Sequence, residues 1–156
     1  MKSLVVVFSY HHKNTEKVAK VIAKVLDAPV KTPQQVNHEE LQGYDLIGFG
    51  SGIYSAKHHE SLLHLADKLP QVTGKKAFIF STYGAPVTFA SREFVENNHL
   101  QLREKLKAKG YSVSGEFGCA GWNTNSFLKY FGGLNKGRPN AEDLRRAEEF
   151  AEHMKE

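Results

Sequence analysis

Short apolar runs alternate along this chain with segments of helical periodicity, and this alternation restricts the possible folds more than any other feature. Uninterrupted apolar runs occupy residues 4–8, 46–49 and 77–80. Such runs are typical of strands that helices cover on both faces. Residues 29–31 predict a short further strand. Apolar and polar residues alternate over residues 113–117, which predicts a half-exposed strand at a sheet edge.

Helices are predicted between the strands, because apolar residues recur there at spacings of three and four. The pattern predicts helices at residues 15–26, 62–69 and 91–109, and a last helix that begins near Asn140. Strands that alternate with helices need crossover connections, so the sequence predicts an α/β fold: a doubly wound, five-stranded parallel sheet with helices on both faces. A chain of 156 residues fits a single domain over residues 1–156.

Composition excludes several classes of protein. Apolar residues make up 40% and charged residues 24%, which is ordinary globular usage and argues against disorder. The net charge of +4 is spread along the chain, so nucleic-acid binding is not expected. The apolar start stops at Phe8 and no run reaches the roughly 18 residues of a membrane span, so neither a signal peptide nor a span is expected. The single cysteine, Cys119, excludes an internal disulfide and suits a reducing cytoplasm, where a structural thiol is the expected role.

Ligands of open parallel sheets bind beyond the carboxyl ends of the strands, where the strand order reverses. The segments that follow the predicted strands are residues 9–15, 51–58 and 81–86. A fourth segment, residues 118–138, is long for a connection and rich in aromatic residues, including Trp122. Long aromatic loops in compact domains are usually functional.

The first of these loops has the chemistry of a phosphate site. The hydroxyls of Ser9 and Thr15, the amide of Asn14 and the N–H groups of a helix N-terminus can donate to phosphate oxygens, and Lys13 adds a charge. The chain lacks the GxGxxG dinucleotide fingerprint, and residues 74–76 do not form a P-loop. A mononucleotide is therefore the expected ligand.

The same residues carry a family resemblance. Residues 9–15, running into Glu16-Lys17-Val18-Ala19, resemble the phosphate loop and first helix of flavodoxins, and residues 48–54 and 80–84 resemble the two loops that sandwich the FMN ring in that family. The resemblance covers nearly the whole chain. It implies a flavodoxin-like sheet in strand order 2-1-3-4-5, with noncovalent FMN at the switch point.

The resemblance also implies which residues hold the cofactor. The phosphate loop would comprise Ser9, Tyr10, His11, His12, Lys13, Asn14 and Thr15, with Lys13 in place of the family's glycine. One side of the ring would face Ser51, Gly52, Ile53 and Tyr54, and the other would face Ser81, Thr82, Tyr83 and Gly84. Tyr54 and Tyr83 are the expected stacking partners. No metal ion and no catalytic residue is assigned.

Two histidine pairs are unusual in so short a chain. His11-His12 and His58-His59 follow neighbouring strands of this topology, so they are expected to gather at one edge of the sheet with Lys13 and Lys57. The prediction is a cationic pocket for the phosphate and one side of the ring. The alternative left open is that most of these histidines are solvated loop residues.

Two functions of different classes follow. The first is an electron carrier between redox proteins, and the basic charge of the chain favours partners of acidic character, where flavodoxins themselves are strongly acidic. The second is an FMN-dependent oxidoreductase of the quinone reductase or protoporphyrinogen-dehydrogenase type, with residues 118–138 forming part of a substrate pocket. The short chain favours the carrier. Positive charge near the cofactor is expected to raise its reduction potential.

Overall fold

The computed structural model describes residues 1–10, 12–89, 91–124 and 132–156, with Phe89 described by its backbone alone. Six strands, four α-helices and three short 3₁₀ helices lie within these ranges, and the strands and α-helices are labelled here. In chain order they are β1 Ser3–Phe8, α1 Asn14–Leu26, β2 Val30–Lys31, β3 Leu46–Tyr54, β4 Lys57–His58, α2 Glu60–Lys68, β5 Lys76–Tyr83, α3 Arg92–Ala108, β6 Ser112–Ala120 and α4 Ala141–Met154. Across the described ranges, no helix combines the length and the apolar character needed to cross a membrane.

The main sheet is parallel and has the order β2-β1-β3-β5-β6. This confirms the predicted α/β fold, and its five strands follow the predicted order 2-1-3-4-5 when the short β4 is set aside. The edge position predicted for residues 113–117 is also confirmed, because they lie in β6 at one end of this order.

The strand β4 was not predicted. β3 runs five residues beyond the predicted end, to Tyr54, and then turns through Ser55 and Ala56 into β4. Both turn residues have positive φ, 52° and 61°, a conformation that favours glycine or asparagine. Without such a residue, the sequence offered no signal for this hairpin.

Helices cover the two faces of the sheet in pairs. Leu4 and Val6 of β1 pack in the core under α2 and α3, whereas Val5 and Val7 pack in the core under α1 and α4. Alternate residues of a strand point to opposite faces, so the apolar run of β1 fills both cores. The continuous apolar run is therefore explained by burial on both sides.

Two glycines of β3 make room for aromatic rings of β5. Gly48 and Gly50 pair in register with Phe78 and Phe80. A Cβ at Gly48 would lie 2.1 Å from the Phe78 ring, and one at Gly50 would lie 2.2 Å from the Phe80 ring. The two rings therefore lie directly on the glycine backbone of the neighbouring strand, inside the α1–α4 core.

Candidate cofactor site

A cleft lies at the carboxyl ends of β1, β3, β5 and β6, where the topology predicts a ligand site. Its volume is about 90 Å³. Ligand pockets usually occupy about 300–1,000 Å³, so this cleft must widen to admit a nucleotide. It is called the cofactor cleft below. The described residues that line it are Tyr10, Asn14, Thr15, Gly52, Ile53, Tyr54, Thr82, Gly84, Gly121, Trp122 and Asn123.

Neutral hydrogen bonds hold the walls of the cofactor cleft together. The hydroxyls of Thr15 and Thr82 are 2.8 Å apart, and the Asn14 side-chain amide donates to the Trp122 carbonyl at 3.0 Å. On the rim, His12 Nε2 lies 2.8 Å from the Thr124 hydroxyl, and its ring stacks on Trp122 at 3.9 Å between centroids. The first two hydrogen bonds join uncharged groups, so a bound ligand that offers equivalent hydrogen bonds can replace them at little cost in free energy.

The first turn of α1 forms the polar end of the cleft. Lys13 precedes the helix in a left-handed conformation with φ of 58°, and the Ser9 hydroxyl accepts from the backbone N–H of Glu16 at 3.2 Å. The Lys13 side chain is 72% exposed, and its ammonium lies 3.7 Å from the Glu16 carboxylate. Lys13 therefore shapes the turn with its backbone, while its charge lies in solvent.

The β3–β4 hairpin forms the opposite wall. Its Tyr54 ring meets the His59 ring edge-on, 5.3 Å between centroids, and burial raises the pKa of Tyr54. The Ser51 hydroxyl donates to the Gly52 carbonyl at 2.7 Å and accepts from the His59 backbone N–H at 2.9 Å. These contacts fix the hairpin at its base.

His58 and His59 do not supply positive charge to the cleft, and the predicted cationic pocket is corrected in this respect. His58 is 1% exposed and donates from Nε2 to the Phe80 carbonyl at 3.0 Å. Burial, together with His99 nearby, lowers its pKa to about 3. His59 Nδ1 accepts from the Ser61 N–H at the start of α2, and burial lowers the pKa of His59 as well. Both histidines are neutral structural residues.

A second polar group, called the His99 network, lies on the α3 side of the sheet. Glu116 accepts from Arg103 at 2.9 Å and from His99 Nδ1 at 3.0 Å. Burial raises the pKa of Glu116, but these two hydrogen bonds outweigh it and hold the pKa below its ordinary value. Because His99 Nδ1 donates to an anion, its Nε2 accepts from the Ser81 hydroxyl, 2.7 Å away.

The His99 network has the connectivity of a hydrolytic triad. However, Ser81 is 1% exposed and His99 is 0% exposed, so no substrate reaches the hydroxyl. Burial also lowers the pKa of His99, against the opposing effect of Glu116. The network therefore joins β5, β6 and α3 as a structural element and does not form a nucleophilic site.

The structure revises the role expected for Tyr83. Its ring is 6% exposed and meets the Phe94 ring of α3 edge-on at 5.3 Å. It lines a separate cavity of about 510 Å³ at the outer edge of β6, together with Arg138 and Arg146. Since the ring turns away from the cofactor cleft, it is not placed to stack on a ligand there.

Half of the predicted site residues come together in the cofactor cleft, and the remainder lie around it. Predicted residues that line it are Tyr10, Asn14, Thr15, Gly52, Ile53, Tyr54, Thr82 and Gly84. Predicted residues that do not line it are Ser9, His12, Lys13, Ser51, Lys57, Ser81 and Tyr83. His11 lies outside the described residues, as do Phe127, Tyr130 and Phe131 of the expected substrate pocket.

Sequence reasoning assigned no cofactor contact to Gly121 and Asn123. They directly follow β6, so the rule that ligands bind beyond strand ends could have found them. A Cβ at Gly121 would lie 2.6 Å from the Asn14 side-chain nitrogen, so the glycine keeps this wall close to α1.

The residues present fit a phosphate-bearing planar cofactor. The side-chain N–H group of Asn14 and the hydroxyl of Thr15 lie in the cleft and can donate to phosphate oxygens. The N-terminus of α1 supplies N–H donors and a favourable dipole for an anion. Ile53, Tyr54 and Trp122 supply apolar and aromatic surface for a ring.

Comparison with known proteins agrees with this architecture. The sequence profile of a family described as "Flavodoxin domain" matches residues 5–121, so this chain belongs to the flavodoxin family. An uncharacterised protein of Methanocaldococcus jannaschii is 50% identical over 154 residues, which cover 99% of this chain and 98% of that protein. The resemblance drawn from the sequence is thereby confirmed, and family membership implies a flavin cofactor.

Solved structures show the same fold. Flavodoxin 2 of Bacillus cereus superposes with a TM-score of 0.69 at 19% identity, over 97% of this chain and 95% of that one. A flavodoxin from the domain Archaea superposes with a TM-score of 0.65 at 21% identity, over the full length of both chains. An NADH:FMN oxidoreductase superposes with a TM-score of 0.59 at 20% identity, over 99% of this chain and 90% of that one. At these identities the likeness concerns the fold alone.

Proposed function

We propose that this chain binds FMN in the cofactor cleft and carries electrons between redox proteins. The observation that supports this most directly is the position of the cleft, at the switch point of a flavodoxin sheet and against the N-terminus of α1. FMN, when bound, supplies reversible one- and two-electron chemistry. The chain's own task is to bind it, orient it and set its environment.

The proposed binding divides the cleft in two. The first turn of α1 would hold the phosphate, with Asn14 and Thr15 as side-chain donors. The β3–β4 hairpin with Tyr54, and the segment after β6 with Trp122, would hold the ring from opposite sides. Loading then replaces the Thr15–Thr82 and Asn14–Trp122 hydrogen bonds by bonds to the cofactor.

A carrier is favoured over an enzyme because the chain of 156 residues is short and has no GxGxxG fingerprint for a nicotinamide dinucleotide. One observation keeps an FMN-dependent oxidoreductase as the second candidate. The cavity of about 510 Å³ at the edge of β6 borders Tyr83, one residue from Gly84 of the cleft. A substrate held there would lie near the cofactor end of the molecule.

The cytoplasmic location belongs to this proposal as well. Its support is Cys119, the single cysteine of this chain, which is buried and unpaired. Burial raises the pKa of its thiol to about 12, so it is not a reactive thiolate.

The test is the visible spectrum of the purified protein, followed by parallel titrations with FMN and riboflavin. We expect flavin absorbance and an affinity for FMN at least about tenfold above that for riboflavin, since riboflavin lacks the phosphate. Thr15→Val should reduce the FMN affinity, and Thr73→Val, at an exposed turn, should not. No binding of either flavin would overturn the proposal.

Electron carrier and enzyme are then separated by turnover. The FMN-loaded protein is mixed with NADH and a soluble quinone. The carrier predicts no steady NADH oxidation until a reductase protein is added, whereas steady oxidation by the protein alone would establish the oxidoreductase.

A further inference from the structure

The segments around the cofactor cleft contain no carboxylates. The described residues 9–10, 12–15, 51–59, 81–89, 118–124 and 132–138 lie at or after the carboxyl ends of β1, β3, β5 and β6, and none of the 17 Asp and Glu residues of the chain lies among them. They include lysines at positions 13, 57 and 136. The described part of the cofactor end therefore has a positive rim, which owes its charge to lysines and not to the neutral His58 and His59.

The helix α1 extends this positive surface. Lys13, Lys17, Lys20 and Lys24 follow one another at spacings of four, three and four residues, so they share one face of the helix. All four are exposed. We call this row the lysine stripe. It starts at the cleft, because Asn14 and Thr15 line it, and Lys24 lies about 15 Å further along the helix.

Few carboxylates neutralise the lysine stripe. Glu16 lies 3.7 Å from Lys13 and 3.4 Å from Lys20, and thus serves two lysines. Lys17 and Lys24 have no carboxylate within ion-pair distance among the described residues. The neighbouring helix α4 carries four glutamates, of which three are paired on α4 itself or at its end: Glu142 and Glu149 with Arg145, and Glu152 with Lys155. Glu148 alone of the four has no ion pair among the described residues.

We infer that the lysine stripe and the rim of the cleft form the docking surface for an acidic redox protein, which exchanges electrons with the cofactor. The inference rests on the proposed function and specifies its partner. Complementary charge increases the rate at which two proteins meet and orients them. A partner with acidic residues around its redox centre would therefore dock with that centre next to the cofactor cleft.

Two variants test the surface with equal changes of charge. Lys17→Glu/Lys20→Glu reverses the stripe next to the cleft, without touching a residue that lines it. Lys76→Glu/Lys107→Glu is the matched control: both lysines are exposed, and they lie at the amino end of β5 and near the end of α3, away from the cleft. Circular dichroism and FMN affinity establish that both variants fold and load.

The first experiment measures electron transfer from the reduced, FMN-loaded protein to two small acceptors. Ferricyanide is an anion and hexaammineruthenium(III) is a cation; each takes one electron, its metal becomes divalent, and the flavin loses that electron. At about 0.01 M salt the screening length is about 30 Å, so the stripe is felt at the cleft. We expect the stripe variant to react about tenfold more slowly with ferricyanide and faster with the cation. The control should change both rates much less, because its charges lie further from the cleft.

The second experiment uses a short poly-L-glutamate as an acidic polypeptide, with amide NMR shifts as the readout. Shifts that cluster on α1 and the cleft rim, and vanish in the stripe variant, support the docking surface. Equal behaviour of the stripe and control variants in both experiments would overturn it. Tighter binding of duplex DNA than of poly-L-glutamate would overturn the assignment to an acidic protein. The NMR experiment needs no flavin, so loss of FMN binding would defeat the proposed function and still leave the surface tested.

Discussion

Two adjacent hydroxyls of β5, those of Ser81 and Thr82, lie in opposite environments. Thr82 faces α1 and shares a neutral hydrogen bond with Thr15 in the cofactor cleft. Ser81 faces α3 and donates to His99, within a network that ends in the Glu116–Arg103 ion pair. The first environment is bordered by a cleft that a ligand can enter, whereas the second is charged, and Ser81 and His99 within it are closed to solvent.

The two environments suit different roles: that of Thr82 suits ligand binding, and that of Ser81 suits the stability of the fold. A site that exchanges its contacts for a ligand benefits from weak, neutral hydrogen bonds, because the ligand has to compensate for each bond that it breaks. A partly buried ion pair that also accepts from a fully buried histidine is costly to disrupt and holds its elements in one arrangement. We therefore expect mutations on the α3 side to change stability, and mutations on the α1 side to change affinity.

The largest effect should come from the α3 side. Glu116→Ala leaves Arg103 and the buried His99 without their anion, and we expect a loss of about 2 kcal/mol in the free energy of unfolding, measured with denaturant. Glu149→Ala is the control, since its ion pair with Arg145 is more than half exposed and should contribute less than about 1 kcal/mol. Equal losses would show that the His99 network has no special role in stability.

The next effect is a dependence of stability on pH. His58 in the unfolded chain takes up a proton below its ordinary pKa of 6.5, whereas in the folded protein it does so only near a pKa of about 3. Above pH 6.5, His58 is neutral in both states and does not lower the free energy of unfolding. Between pH 6.5 and about pH 3, protonation of the unfolded chain lowers the free energy of unfolding by at most about 1.4 kcal/mol per pH unit.

Unfolding between about pH 7 and pH 5 should therefore show a slope that His58→Gln reduces. The exposed His64 provides the control, and His64→Gln should keep the wild-type slope. An unchanged slope in His58→Gln would mean that His58 is not held neutral by its surroundings.

On the α1 side of the sheet, the property expected to change is the affinity for FMN. Gly121→Ala places a Cβ 2.6 Å from the Asn14 side chain, and we expect FMN affinity to fall at least about tenfold, or about 1.4 kcal/mol, by fluorescence titration. Gly43→Ala is the control, because its Cβ would have no neighbour closer than 3.9 Å. Unaltered affinity in Gly121→Ala would place the cofactor elsewhere.

The smallest effect is expected for Lys13, although its charge is the most obvious in the loop. Lys13→Gln should weaken FMN binding less than about threefold, because the ammonium is 72% exposed and pairs with Glu16. Isothermal titration calorimetry with FMN, carried out on Lys13→Gln and Thr15→Val in parallel, shows which substitution weakens FMN binding more. A larger loss in Lys13→Gln than in Thr15→Val would show that the ammonium turns toward the phosphate.

The sequence was a good guide to elements with strong periodicity. The helix predicted at 15–26 is found at Asn14–Leu26, and that predicted at 91–109 at Arg92–Ala108. Cys119 is buried, as expected of a structural thiol. Apolar periodicity is a local property of the chain, which is why it could be read without the fold.

The roles of individual polar residues were less predictable. Ser81 and Thr82 are chemically alike and adjacent. Alternate side chains of β5 point to opposite faces of the sheet, and only this alternation decides which of the two lies at the cleft. Likewise, nothing local marks His58 as buried: its environment is created by Phe80 and by His99 of a distant helix. Charge near a strand end is visible in a sequence, whereas burial of that charge depends on tertiary contacts.

The paired glycines and phenylalanines of β3 and β5 also predict how this fold can evolve. Gly48 and Gly50 lie beneath Phe78 and Phe80 without space for a Cβ. Neither glycine can gain a side chain while the ring beside it is kept, so relatives that keep the phenylalanine should also keep the glycine. A joint substitution of Gly50 by alanine and Phe80 by a smaller residue is thus the expected signature of this contact among distant homologues.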